Sequence, residues 1–481
     1  MSTADRESRK APSSCLLAAI AGALLSGCAA TQSPPLPEFE SPPSFLNADA
    51  TGDGEPRIHT AWAQHFDSEG LSELLLSAQS NNHSVSAAFH ALQSSRAIVR
   101  QSRSELWPEI DGSASARRLS ESATLSPNGV SDDIDRYDAS LSAAWEIDLF
   151  GRIRKSVRAD QANAAAQAAL YEDIMLAVQA DVVQSYFQIN SFQSEIEILE
   201  RSRETRRQSL ELVEKRFDAG TVSELDVAQS QTLFAIAEAR LFDLQRIQNS
   251  LIYGLAVLLG ETPATFAFEP QPIEFAYEPT PAGLPSQLLA RRPDVRQAEQ
   301  RLAVASEEVG IAKVDFLPRI SLSGAIGYAA YNWDALFKPA SAFEELGAQG
   351  GASFFQAGGR RARLAQRQAT FEQRLDEYKQ IAIEAIAEVD DLLQSNRLLD
   401  ARSKALQDAV GGARRAREIS AVQYEKGVVD FIAFLDAERT ALDIEQQFAQ
   451  AQRTQIVNTV NLMRALGGPW LPAETDRSHA Q

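Results

Sequence analysis

Few residues in this chain are of the kinds that do covalent or metal chemistry, and their spacing excludes most of it. His59, His65, His83, His90 and His479 are too scattered to converge on a metal. His83 and His90, seven positions apart (90 minus 83), fall on an ordinary helix face. There is no His-Glu-x-x-His, no Gly-x-Ser-x-Gly and no glycine-rich phosphate loop. An enzyme is therefore not expected, nor a catalytic residue, a metal or a cofactor. The Asp49-Ala50-Thr51-Gly52-Asp53-Gly54-Glu55 run is acidic like a calcium loop, but the remaining ligands of such a loop are missing, and it reads as solvated linker. The chain has two cysteines, Cys15 within an apolar run and Cys28 just beyond its end. What remains is electrostatic: carboxylates near two glycines, Gly220 and Gly427, each about two thirds of the way along a long proline-free stretch. Ser223-x-x-Asp226 has the spacing of a capping box, and Asp430 is an N-cap type.

The N-terminus is a targeting segment. Arg6, Arg9 and Lys10 precede an apolar core from Cys15 to Leu25 that is too short to span a bilayer comfortably. It ends in Leu25-Ser26-Gly27-Cys28, which resembles the lipobox of bacterial lipoproteins. That resemblance implies removal of residues 1–27, lipid on the Cys28 sulfur and, with Ala29 next, delivery to the outer membrane. The alternative is an ordinary secretory signal that contains a cysteine. After cleavage the chain has no free thiol and no disulfide. Pro34, Pro35, Pro37, Pro42 and Pro43 make a stiff, extended tether. The net charge of −19 argues against nucleic acid as a partner. Beyond the first thirty residues no apolar run reaches the roughly 18 residues of a membrane helix, which leaves a β-barrel open.

The chain is written twice. Asn82-His83-Ser84-Val85 through Leu106-Trp107-Pro108 returns as Arg292-Pro293-Asp294-Val295 through Phe316-Leu317-Pro318, shifted by 210 positions (318 minus 108). Gly220 returns as Gly427 and Leu258-Leu259-Gly260 as Ala465-Leu466-Gly467, both shifted by 207 (427 minus 220, 467 minus 260). A nearly constant offset marks two copies of one unit. No proline falls between Pro127 and Pro263 or between Pro339 and Pro469, so long helices can run there. Leu364, Phe371, Tyr378, Ala385, Leu392, Leu399 and Leu406 recur every seven residues as a coiled-coil seam, continued by Leu435, Leu442, Ala449, Ile456 and Met463. Gly359 to Tyr424 as one helix would be a rod of about 100 Å, in which Gly411-Gly412 is either tolerated or a point of bending. Between the helices the period is two: Tyr137, Ala139, Leu141, Ala143, Trp145 and Ile147 alternate with polar and small residues, as do Ile320, Leu322, Gly324, Ile326 and Tyr328. Weaker alternation follows Pro108 and runs from Leu346 to Phe354. Four such strands cannot close a barrel, since the smallest use about 8, and open edges in lipid are prohibitive. An oligomer is required.

Arg292-Pro293-Asp294-Val295, Phe316-Leu317-Pro318, Tyr424-x-x-Gly427 and Leu435-Asp436-Ala437, in this order, resemble the outer-membrane factors of tripartite efflux pumps, and in particular the lipoprotein branch serving resistance-nodulation-division (RND) pumps. The resemblance covers about Pro56 to Gly468. It implies a mainly α fold with membrane β: a homotrimer whose twelve strands form one outer-membrane β-barrel, continued by a periplasmic α-helical coiled-coil barrel closed at its tip. It also implies a passive duct carrying small molecules such as drugs, dyes or metal ions from an inner-membrane RND pump and a periplasmic adaptor. The expected organisation is a signal peptide at 1–27, a tether at 28–56, a first repeat at 57–260 (strands near 107–119 and 136–149, helices near 152–217 and 223–259), a linker at 261–285, a second repeat at 286–468 (strands near 318–330 and 344–356, helices near 359–424 and 430–466) and a tail at 469–481. Gly220 and Gly427 let the helices reverse at the tip, and the resemblance implies that the adaptor docks beside them. It also assigns gate carboxylates to Asp226 and Asp436, with Tyr424 nearby, Asp226 being equally readable as a cap only. Val429 and Ala433 stand where some members carry an arginine and a second acid, so those members' closing salt bridges do not transfer. Two other readings remain: the duct of a type I protein-secretion system, and a coiled-coil periplasmic lipoprotein without a channel.

Overall fold

The computed structural model describes residues 32–37, 39–47, 57–58, 62, 66, 69–120, 133–272, 283, 285–468 and 470–471. Cys28 and the acidic run at 49–55 lie outside them. In chain order the elements are β1 (Arg57–Ile58), α1 (Glu69–Asn81), α2 (His83–Ser104), β2 (Glu109–Ser120), β3 (Asp133–Ile147), α3 (Arg152–Asp218), α4 (Glu224–Leu258), α5 (Pro285–Arg291), α6 (Pro293–Val314), β4 (Arg319–Ala330), β5 (Ala342–Gly351), α7 (Gly359–Glu425), α8 (Phe431–Ala465) and β6 (Trp470–Leu471). They fall into two compact units, one from Met1–Glu38, Ala91–Ala168 and Gln297–Lys379, the other from Phe39–His90, Ala169–Arg296 and Gln380–Gln481.

The first unit holds an antiparallel sheet in the order β2-β3-β4-β5. Its register sorts the side chains cleanly. Gly112 pairs with Leu141, Leu141 with Ile326, and Gly324 with Leu346, so Ile110, Leu141, Ala143, Trp145, Ile320, Leu322, Ile326 and Leu346 share one face. The opposite face carries Asp111, Ser113, Ser140, Ser142, Ser321, Ser323, Glu345 and Gln349. The exceptions sit at the ends of the strands: Glu344 near the start of β5, and Asp133 with the ion-paired Arg118 and Asp135 where β2 meets β3, all lie on the apolar face. Leu141 is 54% exposed and Leu346 93% exposed, so the apolar face is uncovered within one chain. β2 and β4 begin after Pro108 and Pro318, which have no N–H to give a ladder. β5 stops at Gly351, short of Phe354, and Ala357 (φ 47°) and Gly358 (φ 88°) then turn the chain into α7.

The tether is fastened rather than loose over the residues described. Ser33 Oγ donates to Glu307 Oε2 at 2.8 Å, Lys313 Nζ donates to the Gln32 carbonyl at 2.7 Å, and Ser306 Oγ to the Pro34 carbonyl at 2.6 Å. Lys155, only 7% exposed, donates to Ser33 Oγ at 3.1 Å. A Cβ on Gly310 would collide with that hydroxyl, so the glycine makes room for the strap.

The second unit is built around Trp62, Leu71, Val85, Val182, Ile189, Leu255, Leu259, Ile456 and Met463. Repeat symmetry is visible in its bonds. Asn82 accepts from the backbone N–H groups of Ser84 and Val85, capping α2, while its Nδ2 donates to the Leu258 carbonyl at the end of α4. Its counterpart Arg292 donates to Asp294 through Nε (3.0 Å) and Nη2 (2.7 Å), to Glu388 through Nη1 (2.6 Å), and to the Ala465 carbonyl at the end of α8 (3.2 Å). Burial disfavours ionisation of Asp294, but its bonds to Arg292 outweigh this and hold the carboxyl below its ordinary range. α3 and α7 are each 67 residues long, and Gly411-Gly412 lie inside α7 without breaking it. No described helix is long and apolar enough to cross a membrane. β1 and β6 pair antiparallel through Arg57–Leu471 and Ile58–Trp470.

Candidate functional site: two helical hairpins in the second unit

α3 and α4 are joined by one short turn, α7 and α8 by another, and the two turns have the same construction. Gly220 (φ 70°) and Gly427 (φ 69°) both adopt the left-handed conformation that ends a helix. Gly220 N–H bonds the Phe217 carbonyl at 2.8 Å and Thr221 N–H the Arg216 carbonyl at 2.9 Å. Gly427 N–H bonds the Tyr424 carbonyl at 3.0 Å and Val428 N–H the Gln423 carbonyl at 2.8 Å. Each turn is thus a Schellman motif, closing the last open carbonyls of the outgoing helix. Nothing lies within 4 Å of a Cβ added at either glycine, so the requirement comes from the backbone alone.

The returning helices are capped differently. Ser223 Oγ accepts from Asp226 N–H, and Asp226 Oδ2 accepts from Ser223 N–H at 2.9 Å, a reciprocal capping box. The Asp226 carboxylate is therefore engaged in local structure. Asp430 caps α8 by accepting from Ala433 N–H at 2.9 Å. Asp436, one turn further on, is exposed and makes no ion pair among the described residues. The structure does not join Asp226 to Asp436. Tyr424 packs rather than bonds: its ring stacks on Phe434 (centroids 5.4 Å apart, planes 9° apart), tilts against Phe431, and lies under the Arg216 guanidinium at 5.0 Å. With Val213, Leu233 and Leu435 these rings fill the space between the hairpins.

Several buried charges were not singled out from the sequence. Arg206 on α3, 5% exposed, donates through Nη1 to the Leu233 carbonyl of α4 at 3.0 Å, and its Nε lies 3.9 Å from Glu438 Oε1 on α8. Burial pushes the Glu438 carboxyl above its ordinary range, against the pull of Arg206 and Arg417. One heptad on, Glu445 accepts from Arg414 Nε of α7 at 2.6 Å. Further along, Arg453 bonds Glu195 and lies over the Phe192 ring. A cleft of about 730 Å³ opens between α3 and α7, with Glu438 and Glu445 among its lining residues. The available signal was positional: Glu438 and Glu445 each stand three residues after a seam leucine, Leu435 and Leu442, where a coiled coil expects apolar side chains. Among the described residues no group of His, Cys, Asp and Glu could hold a metal ion.

A sheet with one apolar and one polar face, carried by doubled long helices, defines a class: the outer-membrane channels that complete one β-barrel from several chains. The chain belongs to the outer membrane efflux protein family, whose model matches residues 74–261 and 284–468. It is 31% identical over 458 residues, 93% of this chain and 96% of the relative, to the solvent efflux pump outer membrane protein SrpC of Pseudomonas putida. It is 28% identical over 414 residues, 85% of each chain, to the antibiotic efflux pump outer membrane protein ArpC of the same species. The solved outer-membrane channel OprN superposes with a TM-score of 0.86 at 30% identity, covering 92% of this chain and all of that one. The fold class is accordingly a trimeric barrel, four strands from each chain, together with a barrel of α-helices, and the protein is an outer-membrane efflux channel that reaches into the periplasm.

Proposed function

We propose that this chain is the passive exit duct of an RND-type tripartite system, receiving small molecules such as drugs, dyes or metal ions from an inner-membrane pump through a periplasmic adaptor. The observation carrying this reading is the pair of identically built Schellman turns at Gly220 and Gly427, which present two matched helical ends for an adaptor to grip. Similarity along nearly the full length to channels named for solvent and antibiotic efflux supports the cargo class. The lipid on Cys28 would add a second hold on the membrane. In-cell crosslinking of a tagged copy, followed by mass spectrometry, is expected to recover a periplasmic adaptor and an RND pump. Recovery of an ATP-driven exporter would instead make it a protein-secretion duct.

Asp436 is the gate carboxylate in this reading, because it is exposed and has no ion pair among the described residues, while Asp226 serves its own helix. Three copies at a constriction favour cations over anions. In planar bilayers Asp436→Asn is expected to lower the cation preference, read as a reversal potential moving toward zero. Asp226→Asn should leave it nearly unchanged. A larger shift for Asp226→Asn would transfer the gate role to that residue.

A further inference from the structure

Arg206 and Glu438 are both more than nine-tenths buried, yet the pair is poorly bonded. At 3.9 Å the Arg206 Nε and Glu438 Oε1 are beyond hydrogen-bond length, and Nε has no hydrogen-bond partner. Ser230 Oγ, lining the same small cavity from α4, is also buried without one. A buried charge pair recovers its desolvation cost only with good geometry and further hydrogen bonds; this one lacks the geometry, and its one such bond runs from Arg206 to a backbone carbonyl. Arg206 itself is pinned, because Nη1 is tied to the Leu233 carbonyl of its own hairpin. The mobile member is the glutamate, whose three rotatable bonds let it reorient without backbone movement. A second cation is available to it: Arg417 of α7 lines the same cleft and attracts Glu438 electrostatically. Glu445, which repels Glu438, is already held by Arg414.

We propose that Glu438 is a two-position carboxylate: paired with Arg206 it clips the α7–α8 hairpin to the α3–α4 hairpin, and paired with Arg417 it stays within its own hairpin and releases the other. Arg206 and Arg417 are then positioning residues with opposite effects on one equilibrium, which a purely structural role for either would not produce. The cleft gives the side chain room to swing, and the aromatic cluster around Tyr424 forms a second contact between the hairpins.

This rests on the duct reading, and its test separates the two. The purified trimer of the intact chain is placed in planar bilayers and its open probability recorded, with the melting of the native trimer as a control. Arg206→Met is expected to raise open probability about fivefold or more, the lower end of ordinary coupling between linked elements. Arg417→Met, at a partly exposed position that should not impair folding, is expected to lower it. Shifts of the same sign, or no shift in Arg417→Met with trimer melting unchanged, would overturn the proposal. If Arg206→Met yields no trimer, Arg206→Lys, which keeps the charge but loses the fixed Leu233 bond, must still open more often than the parent. A parent protein that never conducts would sink the duct reading instead.

Discussion

Leu141→Arg is expected to abolish assembly of the channel in the outer membrane, whereas Ser142→Arg, one residue along the same strand, should leave assembly intact. Leu141 stands in the middle of β3 on the apolar face, between Gly112 and Ile326, and is 54% exposed. Ser142 pairs with Asp111 and Ala325 on the polar face. An arginine facing the bilayer midplane costs about 2–4 kcal/mol, and a trimer carries it three times, roughly 6–12 kcal/mol in all. That is comparable with the whole stability of a typical domain, about 5–15 kcal/mol. The same arginine in the lumen remains in water and should only narrow the bore and lower its conductance. Heat-modifiable migration of the trimer in outer-membrane fractions measures the first effect and single-channel current the second. Normal insertion of Leu141→Arg would mean that the apolar face does not meet lipid.

Arg292→Met is expected to be the most damaging single change in the second unit, and more so than Asn82→Ala at the matching place in the first repeat. Arg292 joins three elements: Asp294 at the start of α6, Glu388 in the middle of α7 and the final carbonyl of α8. Breaking a buried ion pair costs about 3–5 kcal/mol because the partner charge is left behind. Here Glu388 is half exposed and Asp294 partly so, which brings the figure to about 3 kcal/mol per chain. Asn82 is a neutral cap with one carbonyl bond across to Leu258, and losing both should cost about 2 kcal/mol. Denaturant or thermal melting of the trimer should rank them Arg292→Met, Asn82→Ala, wild type in rising stability. The reverse order would show that the first repeat, not the second, carries the joint.

The periodic features were legible before the structure because each is a local rule repeated many times. Seven-residue spacing from Leu364 to Leu406 marks a helix whose 67 residues include it, and two-residue alternation from Tyr137 to Ile147 marks a strand. The tip glycines were readable because only a left-handed residue ends a helix so abruptly. Strand ends were less exact: Trp107-Pro108 belong to the turn before β2, since proline gives the ladder no donor. What could not be read depends on pairs distant in sequence. Arg206 meets Glu438 across 232 positions (438 minus 206), and Ser33 meets Glu307 across 274. No spacing rule reports such encounters. Asp226 illustrates the opposite limit: its capping-box spacing was visible, but that its carboxylate is committed to Ser223 is a fact of the fold.

The pairing of β1 with β6 brings residues 57–58 and 470–471 side by side, at the two extremes of the doubled body. Linked there and opened instead between Pro272 and Pro285, the chain would begin with its second copy and finish with its first while every paired segment kept its neighbour. As a piece of topology the body is a ring rather than a line. The β1–β6 pairing by itself does not fix which copy comes first.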